Sequence, residues 1–341
     1  MTSPRSTHVR FAAIGLNHNH IYGQVETLRS AGGECVAAHS DDPALLAEFT
    51  RRFPDVPPAR TPDEILDDPS IALIATAAIP SARPGVAIAA MQRGKDVYSD
   101  KPGCTTLRQL EDLRRVQKDT GRIYSIGYSE HFGSRASVKA GELVQGGAIG
   151  RVVQTTLFGP HRAQPAGRPP WFFEKEHYGG ILSDIGSHQV EQFLFFTGSS
   201  SAEVASAHVG NFRYPDHPGL EDYGDLTLRG DRGMGSLRCD WYTPDALPVW
   251  GDGRLFILGT EGYIEVRKLI DLAGREGGEH LFLVNKQGVQ YVETVNTELP
   301  FGRQLLTDVR ERSETAMPQW RCFLAMQLAL EGEQQAVRLT P

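Results

Sequence analysis

The chain has 341 residues, about twice the span of a common single domain, so two domains are expected. Its 35 basic and 42 acidic residues leave a net charge of −7, which argues against an extended nucleic-acid or anionic-membrane footprint. With 40% hydrophobic and 23% charged residues it has the material for an ordinary globular core, and no apolar stretch is long enough to span a bilayer.

The first third alternates short apolar runs with helical patterns. Residues 8–15 (HVRFAAIG) read as a buried strand, 21–30 as a helix, 35–39 (CVAAH) as a second strand and 43–53 as a second helix. A third buried strand over 71–78 (IALIATAA) leads to a helix ending at residue 91 and a strand over 96–99 (DVYS). A helix over 107–120 and a strand over 123–127 follow. This alternation predicts right-handed βαβ crossovers and a parallel sheet.

Beyond about residue 150 strands follow one another: 152–158, 204–214, 223–229, 234–243, 254–258, 263–266, 281–285 and 289–293. Turn chemistry at 230–233 (GDRG), 259–262 (GTEG) and 286–288 (KQG) separates several of them, which predicts an antiparallel sheet. One helix over 184–196 interrupts this half. A last helix over 318–332 carries Trp320, Phe323, Leu324 and Leu328 at helical spacing. The segment 163–170 (AQPAGRPP) reads as a loop.

Four stretches carry polar residues where chemistry needs them. The first βα turn (GLNHNHIYG from Gly15) has a glycine for the tight turn, Asn17 at the second glycine position of a dinucleotide fingerprint and His20 at the third. Asn tolerates positive φ well, so such a turn survives the substitution. After the second strand, Asp41 and Asp42 stand where a carboxylate meets an adenosine ribose, and equally where one caps the helix beginning at Pro43. No arginine stands there to receive a 2′-phosphate, which favours NAD over NADP. Asp100-Lys101-Pro102 ends a strand on the edge of the sheet where ligands bind. On the helix over 184–196, Asp184 and His188 are one turn apart and share a face with Glu191, opposite Ile185, Val190 and Phe193. Asp184, His188, His18 and His20 are acceptable metal ligands, but nothing fixes a third one and no metal is expected.

In this order the motifs resemble the family of glucose–fructose oxidoreductase, inositol dehydrogenase and rhizopine-catabolism proteins. Asp100-Lys101-Pro102 is similar to its Glu-Lys-Pro motif, and residues 179–188 (GGILSDIGSH) to its Gly-Gly-x-x-x-Asp-x-Gly-x-His motif. Residues 144–153 (VQGGAIGRVV) resemble its lead into the substrate domain. The resemblance implies a Rossmann-type dinucleotide-binding domain over 1–126, onto which the helix over 318–332 packs back. It also implies an α/β substrate and oligomerisation domain over 127–315 with a large open antiparallel sheet. Lys101, Asp184 and His188 would match the catalytic group. Gly15, Asn17, His18, His20, Asp41, Ala77, Pro80, Asp100, Lys101 and Pro102 would meet NAD. Three departures stand out: Asn17 with His20, the shorter Asp100, and Arg83 where many members carry histidine.

The implied reaction is hydride transfer between nicotinamide and a secondary alcohol of a sugar, cyclitol or polyol. His188 would take the hydroxyl proton, Asp184 would orient it or bind a neighbouring hydroxyl, and Lys101 would stabilise alkoxide charge. Trp171, Phe172, His161, Arg162, His177 and Tyr178 would build the sugar pocket, with Glu130 and His131 facing it; the aromatic residues serve equally as loop anchors. Arg162 or Arg168 would suit an acidic sugar. A redox-assisted lyase or glycosidase and a non-catalytic nucleotide and sugar sensor are the rival readings. Scattered cysteines at 35, 104, 239 and 322 and a stretch 1–10 without an apolar leader point to the cytoplasm. A homodimer or homotetramer is expected by analogy.

Overall fold

A computed structural model describes residues 8–340, so most of the stretch read for a leader lies outside the described residues. The chain divides into two compact units, Met1–Gly127 with Pro300–Phe323, and Tyr128–Leu299 with Leu324–Pro341.

In the first unit, β1 (Arg10–Ile14), α1 (His20–Ser30), β2 (Glu34–His39), α2 (Pro43–Arg52), α3 (Pro62–Leu66) and β3 (Leu73–Thr76) come first. They are followed by α4 (Arg83–Gln92), β4 (Asp96–Asp100), α5 (Leu107–Thr120) and β5 (Tyr124–Gly127). The strands pair in parallel in the order β2-β1-β3-β4-β5. Beyond β2, Ala38 makes one parallel bridge to Pro58, with the Ala59 N–H donating to Ala38 O at 2.8 Å. The strand that would complete a Rossmann sheet is thus reduced to a single bridge, since Pro54, Pro57 and Pro58 have no N–H to give a ladder. Gly15 ends β1 at φ +78, and a Cβ there would sit 2.5 Å from that of Ala78. The turn therefore needs glycine twice over.

The second unit begins with α6 (Ser129–Phe132) and α7 (Arg135–Gln145), then β6 (Val152–Pro160), α8 (Lys175–Tyr178), α9 (Ile181–Asp184) and α10 (Gly186–Thr197). The strands β7 (Ala202–Gly210), β8 (Tyr223–Gly230), β9 (Met234–Asp240), β10 (Arg254–Gly259), β11 (Gly262–Arg267), β12 (His280–Asn285) and β13 (Gly288–Val292) follow. After α11 (Phe301–Glu311) and α12 (Gln319–Gln335) comes β14 (Val337–Leu339). The sheet has nine strands in the order β13-β12-β11-β10-β6-β9-β8-β7-β14. It is mixed, where the sequence predicts only antiparallel pairs: β6 runs parallel to β9, and β14 to β7. The long excursion through α8–α10 causes the first exception, because it separates β6 from its neighbour β9 in sequence.

α10 lies on this sheet closely enough that a Cβ at Gly235 would meet the Phe193 ring at 2.6 Å. It is buried on almost every side, so the polar face expected at His188 and Glu191 is interior too. The single helix expected over 184–196 is in fact α9 and α10, joined at Ile185. α3, α6, α7, α8, α11 and β14 have no counterpart in the sequence reading.

The returning segment of the first unit is held by polar clasps. Gln319 caps the free edge of β5: its side chain accepts from Tyr124 N–H (2.9 Å) and donates to Tyr124 O (3.1 Å). Arg312, left-handed at the end of α11, donates to Asp96 Oδ2 at 2.6 Å and Gly121 O at 2.7 Å. Burial pushes the Asp96 carboxyl upward, and Arg312 opposes it. Arg312→Ala should lower the unfolding free energy by about 2 kcal/mol, since a buried carboxylate then lacks its partner; denaturant titration checks this.

Candidate active site

The carboxyl edge of the parallel sheet collects Gly15, Asn17, His18 and His20 after β1, Asp41 after β2, Ala77 and Pro80 after β3, and Asp100, Lys101 and Pro102 at β4. Arg83 organises it. This fully buried guanidinium donates to Ala78 O (2.8 Å), Pro102 O (2.8 Å), Asp100 Oδ2 (3.0 Å) and Lys101 O. The arginine that departs from the family pattern is thus a clamp on the Asp-Lys-Pro segment. Asp100 also meets His20 Nδ1 at 2.9 Å and His18 Nδ1 at 3.5 Å. Burial would raise the Asp100 carboxyl, but the charges of His20 and Arg83 hold it well below the usual carboxylate range. Burial and His20 push the His18 imidazole well below its ordinary value, so it stays neutral and Nδ1 accepts the His20 N–H at 3.3 Å.

His18, His20 and Asp100 lie close enough together, within 4.8 Å, to resemble metal ligands. Arg83 and Lys101 already set two positive charges beside that one carboxylate, which disfavours a dication and favours an anion. A dinucleotide pyrophosphate fits this edge, where α1 starts with no acidic residue in its first turn. The two aspartates after β2 divide their tasks. Asp42 caps α2, accepting from Ala44 N–H at 2.8 Å, whereas Asp41 is wholly exposed and pairs with His39 Nε2 at 3.2 Å.

In the second unit His188 is buried in α10, its ring edge-on to Tyr128 at 5.9 Å. Glu130 is buried nearby, 2.9 Å from Lys268 Nζ and 2.8 Å from Gln189 Nε2. Burial alone would raise its carboxyl, yet Lys268, His188 and His161 bring it down to about 2. Among the described residues Glu130 Oε1 makes no hydrogen bond and lies 4.0 Å from His161 Nε2, and the buried Trp241 indole N–H has no hydrogen-bond acceptor. Lys268, Gln189, Gln192 and Trp241 were missed by sequence reasoning. A lysine on the far end of β11 and glutamines inside an apolar helix carry no local signal of convergence.

Several expected pocket residues have other employment. Arg162 donates to Pro244 O (3.1 Å), Val249 O (2.9 Å) and Leu247 O, and Arg168 to Ala163 O (2.8 Å) and Arg162 O (3.1 Å). Both guanidiniums are engaged by backbone carbonyls. His131 is buried, pairing with Glu191 at 2.8 Å with its ring against Phe195. Phe172 is buried against Trp241 and Tyr178, and Tyr178 bonds Gly219 O and Glu221 N–H, so both anchor the loop. His177 sits among exposed Glu174 and Glu176. Trp171 is half-buried, and Asp184 ends α9 within electrostatic reach of Arg168. A depression of about 680 Å³ opens on the opposite face of the sheet, lined by Phe158, Tyr223 and Arg238, and holds none of the expected residues.

The first unit has the sheet, tight turn and cationic edge of a dinucleotide-binding fold, joined to a second unit built on a large mixed sheet. Residues 9–128 match the family profile described as oxidoreductase family, NAD-binding Rossmann fold, and residues 137–265 match the GFO/IDH/MocA C-terminal domain. The chain belongs to the Gfo/Idh/MocA family of NAD(P)-dependent oxidoreductases. A solved structure from Erwinia carotovora atroseptica SCRI1043, named only for the oxidoreductase class, superposes with a TM-score of 0.95 at 46% identity over 97% of this chain and 100% of that one. The scyllo-inositol 2-dehydrogenase (NAD(+)) of Bacillus subtilis (strain 168) is 27% identical over 76% of this chain and 74% of its own. Myo-inositol 2-dehydrogenase from Lactobacillus plantarum shares the fold at a TM-score of 0.75 and 19% identity, over 97% of both chains.

Asp100→Asn should destabilise the protein by about 3 kcal/mol at neutral pH, because Arg83 is left buried without its counter-charge. Asp100 has a depressed folded pKa, so its ion pairs stabilise above the unfolded value and are lost as pH falls below it. Urea titrations should therefore show the variant and parent converging below about pH 4.

Proposed function

We propose that the protein is an NAD-dependent dehydrogenase or reductase for a neutral polyol, cyclitol or sugar. The observation that carries the substrate class is the buried Glu130–Lys268 pair near His188 and His161, with both nearby arginines engaged by backbone carbonyls. The second unit's groups, so balanced, offer hydrogen bonds to hydroxyls and no unmatched cation of their own to a carboxylate. Bound NAD supplies the acceptor for the hydride leaving a secondary alcohol carbon. His188 takes the hydroxyl proton, Lys101 donates to the reacting oxygen and lowers the cost of its negative charge, and Asp184 positions the alcohol. Glu130 Oε1 and the Trp241 N–H, both without a hydrogen bond among the described residues, are suited to ring hydroxyls. Asp41 would accept from the ribose, and its charge repels a 2′-phosphate, which supports NAD over NADP.

Four buried free cysteines favour a cytoplasmic enzyme, and no helix among the described residues is long and apolar enough to cross a membrane. Phe158, Phe256 and Phe282 on the open sheet face favour a homodimer or homotetramer.

Purified protein titrated with NADH and NADPH by fluorescence, then given oxidised cofactor and a polyol panel, tests the reading; binding of neither nucleotide would overturn it. His188→Ala should cut turnover by about 10²- to 10⁴-fold while NADH affinity stays unchanged. Turnover equal to the parent would remove His188 from the proton-transfer role. Asp41→Ala should weaken NADH binding and narrow the preference over NADPH. Asp42→Ala should leave both affinities alone and cost about 1 kcal/mol of stability.

A further inference from the structure

A lysine and two buried glutamates converge on the backbone leading into Asp184. Lys175 Nζ lies 2.5 Å from Glu221 Oε1 and 2.6 Å from Glu333 Oε1. Glu221 Oε2 accepts the Ile181 N–H at 3.0 Å, and Glu333 Oε2 accepts the Leu182 N–H at 3.0 Å. Glu221 is itself fixed, because the Tyr178 hydroxyl accepts its N–H at 2.9 Å and donates to Gly219 O at 3.2 Å. Gly180 stands at φ +91, and a Cβ there would collide with the Glu333 carboxylate. The second glycine of the motif thus makes room for a side chain of the last helix.

α9 has four residues and cannot hold its own shape. Its ends are joined by backbone bonds from Asp184 N–H to Gly180 O and from Ile185 N–H to Ile181 O, each 2.9 Å. A single Ser or Asn would satisfy an amide at far lower desolvation cost than two buried carboxylates and a lysine. So much buried charge fits a demand for a fixed position. We propose that Glu221, Lys175 and Glu333 are positioning residues that clasp the Ile181 and Leu182 amides and thereby set Asp184 and His188. This rests on the catalytic reading of those two side chains.

Burial and the neighbouring Glu221 push the Glu333 carboxyl up to about 8. At neutral pH the Glu333 carboxyl therefore holds its proton beside Lys175 and Glu221. The other groups facing them are Arg338, 3.9 Å from Glu221 Oε1, and the Tyr178 hydroxyl, which burial holds un-ionised. Because the folded value is raised, the stability from this proton falls as pH rises from the ordinary carboxylate range to about 8.

Hydrogen exchange of the 181–185 amides in the full-length protein, alongside kcat and KM, tests the clasp. E333A should speed exchange there and lower kcat about ten- to hundredfold with little change in KM. E333Q, whose amide oxygen can accept from Leu182 and whose NH2 can donate to Glu221 but not accept from Lys175, should restore both in large part. Exchange in the parent relative to E333Q should rise above about pH 8. Unchanged exchange in E333A overturns the clasp, and fast exchange with unchanged kcat overturns its positioning role. Should E333A fail to fold, a parent-to-E333Q ratio flat across about pH 7 to 9 overturns the proposal. If the parent oxidises no polyol, the functional reading has failed, and exchange alone decides the clasp.

Discussion

A guanidinium with no access to water governs the cofactor-binding half of this protein. Arg83 can be buried only if every one of its demands is met, and the carbonyls of Ala78, Lys101 and Pro102 with the Asp100 carboxylate meet them. Those contacts tie the ends of β3 and β4 together. They also keep Asp100 ionised, which holds His20 from the first turn. The place of Lys101 and the positive character of the sheet edge both follow from that single buried charge.

The second unit uses the same physics with the signs redistributed. Glu130 is matched by Lys268, His131 meets Glu191, and Lys175 bridges Glu221 and Glu333. Each of these groups has its partner close by, and the carboxylate facing His188, Glu130, is matched by Lys268. That balance is what separates a pocket for neutral hydroxylated rings from one for acids.

Much of this was legible in the sequence, for physical reasons. Strands such as β3 and β10 are short, strongly apolar and bounded by turns, so their limits agree with the sequence reading to within a few residues. The motif residues were found because they are sequence-local. What escaped depends on contacts far apart in the chain. Arg83 stood out only as a departure from the family pattern, since nothing local reveals three carbonyls waiting for it. Lys268 lies 138 residues from Glu130, and Glu333 lies 151 residues from Leu182. The parallel pairing of β6 with β9 was hidden because successive strands with short turns suggest only antiparallel neighbours. The join at Ile185 was invisible because its residues keep helical periodicity across the break.

The central claim is net oxidation of a neutral hydroxylated ring with NAD. It is tested most directly by following NADH formation as the enzyme is offered neutral cyclitols and sugars beside the corresponding sugar acids. The account predicts NADH accumulating in proportion to ketone product, with neutral substrates preferred. A preference for the acids would contradict the charge balance around Glu130, and turnover without net NADH would contradict the reaction itself.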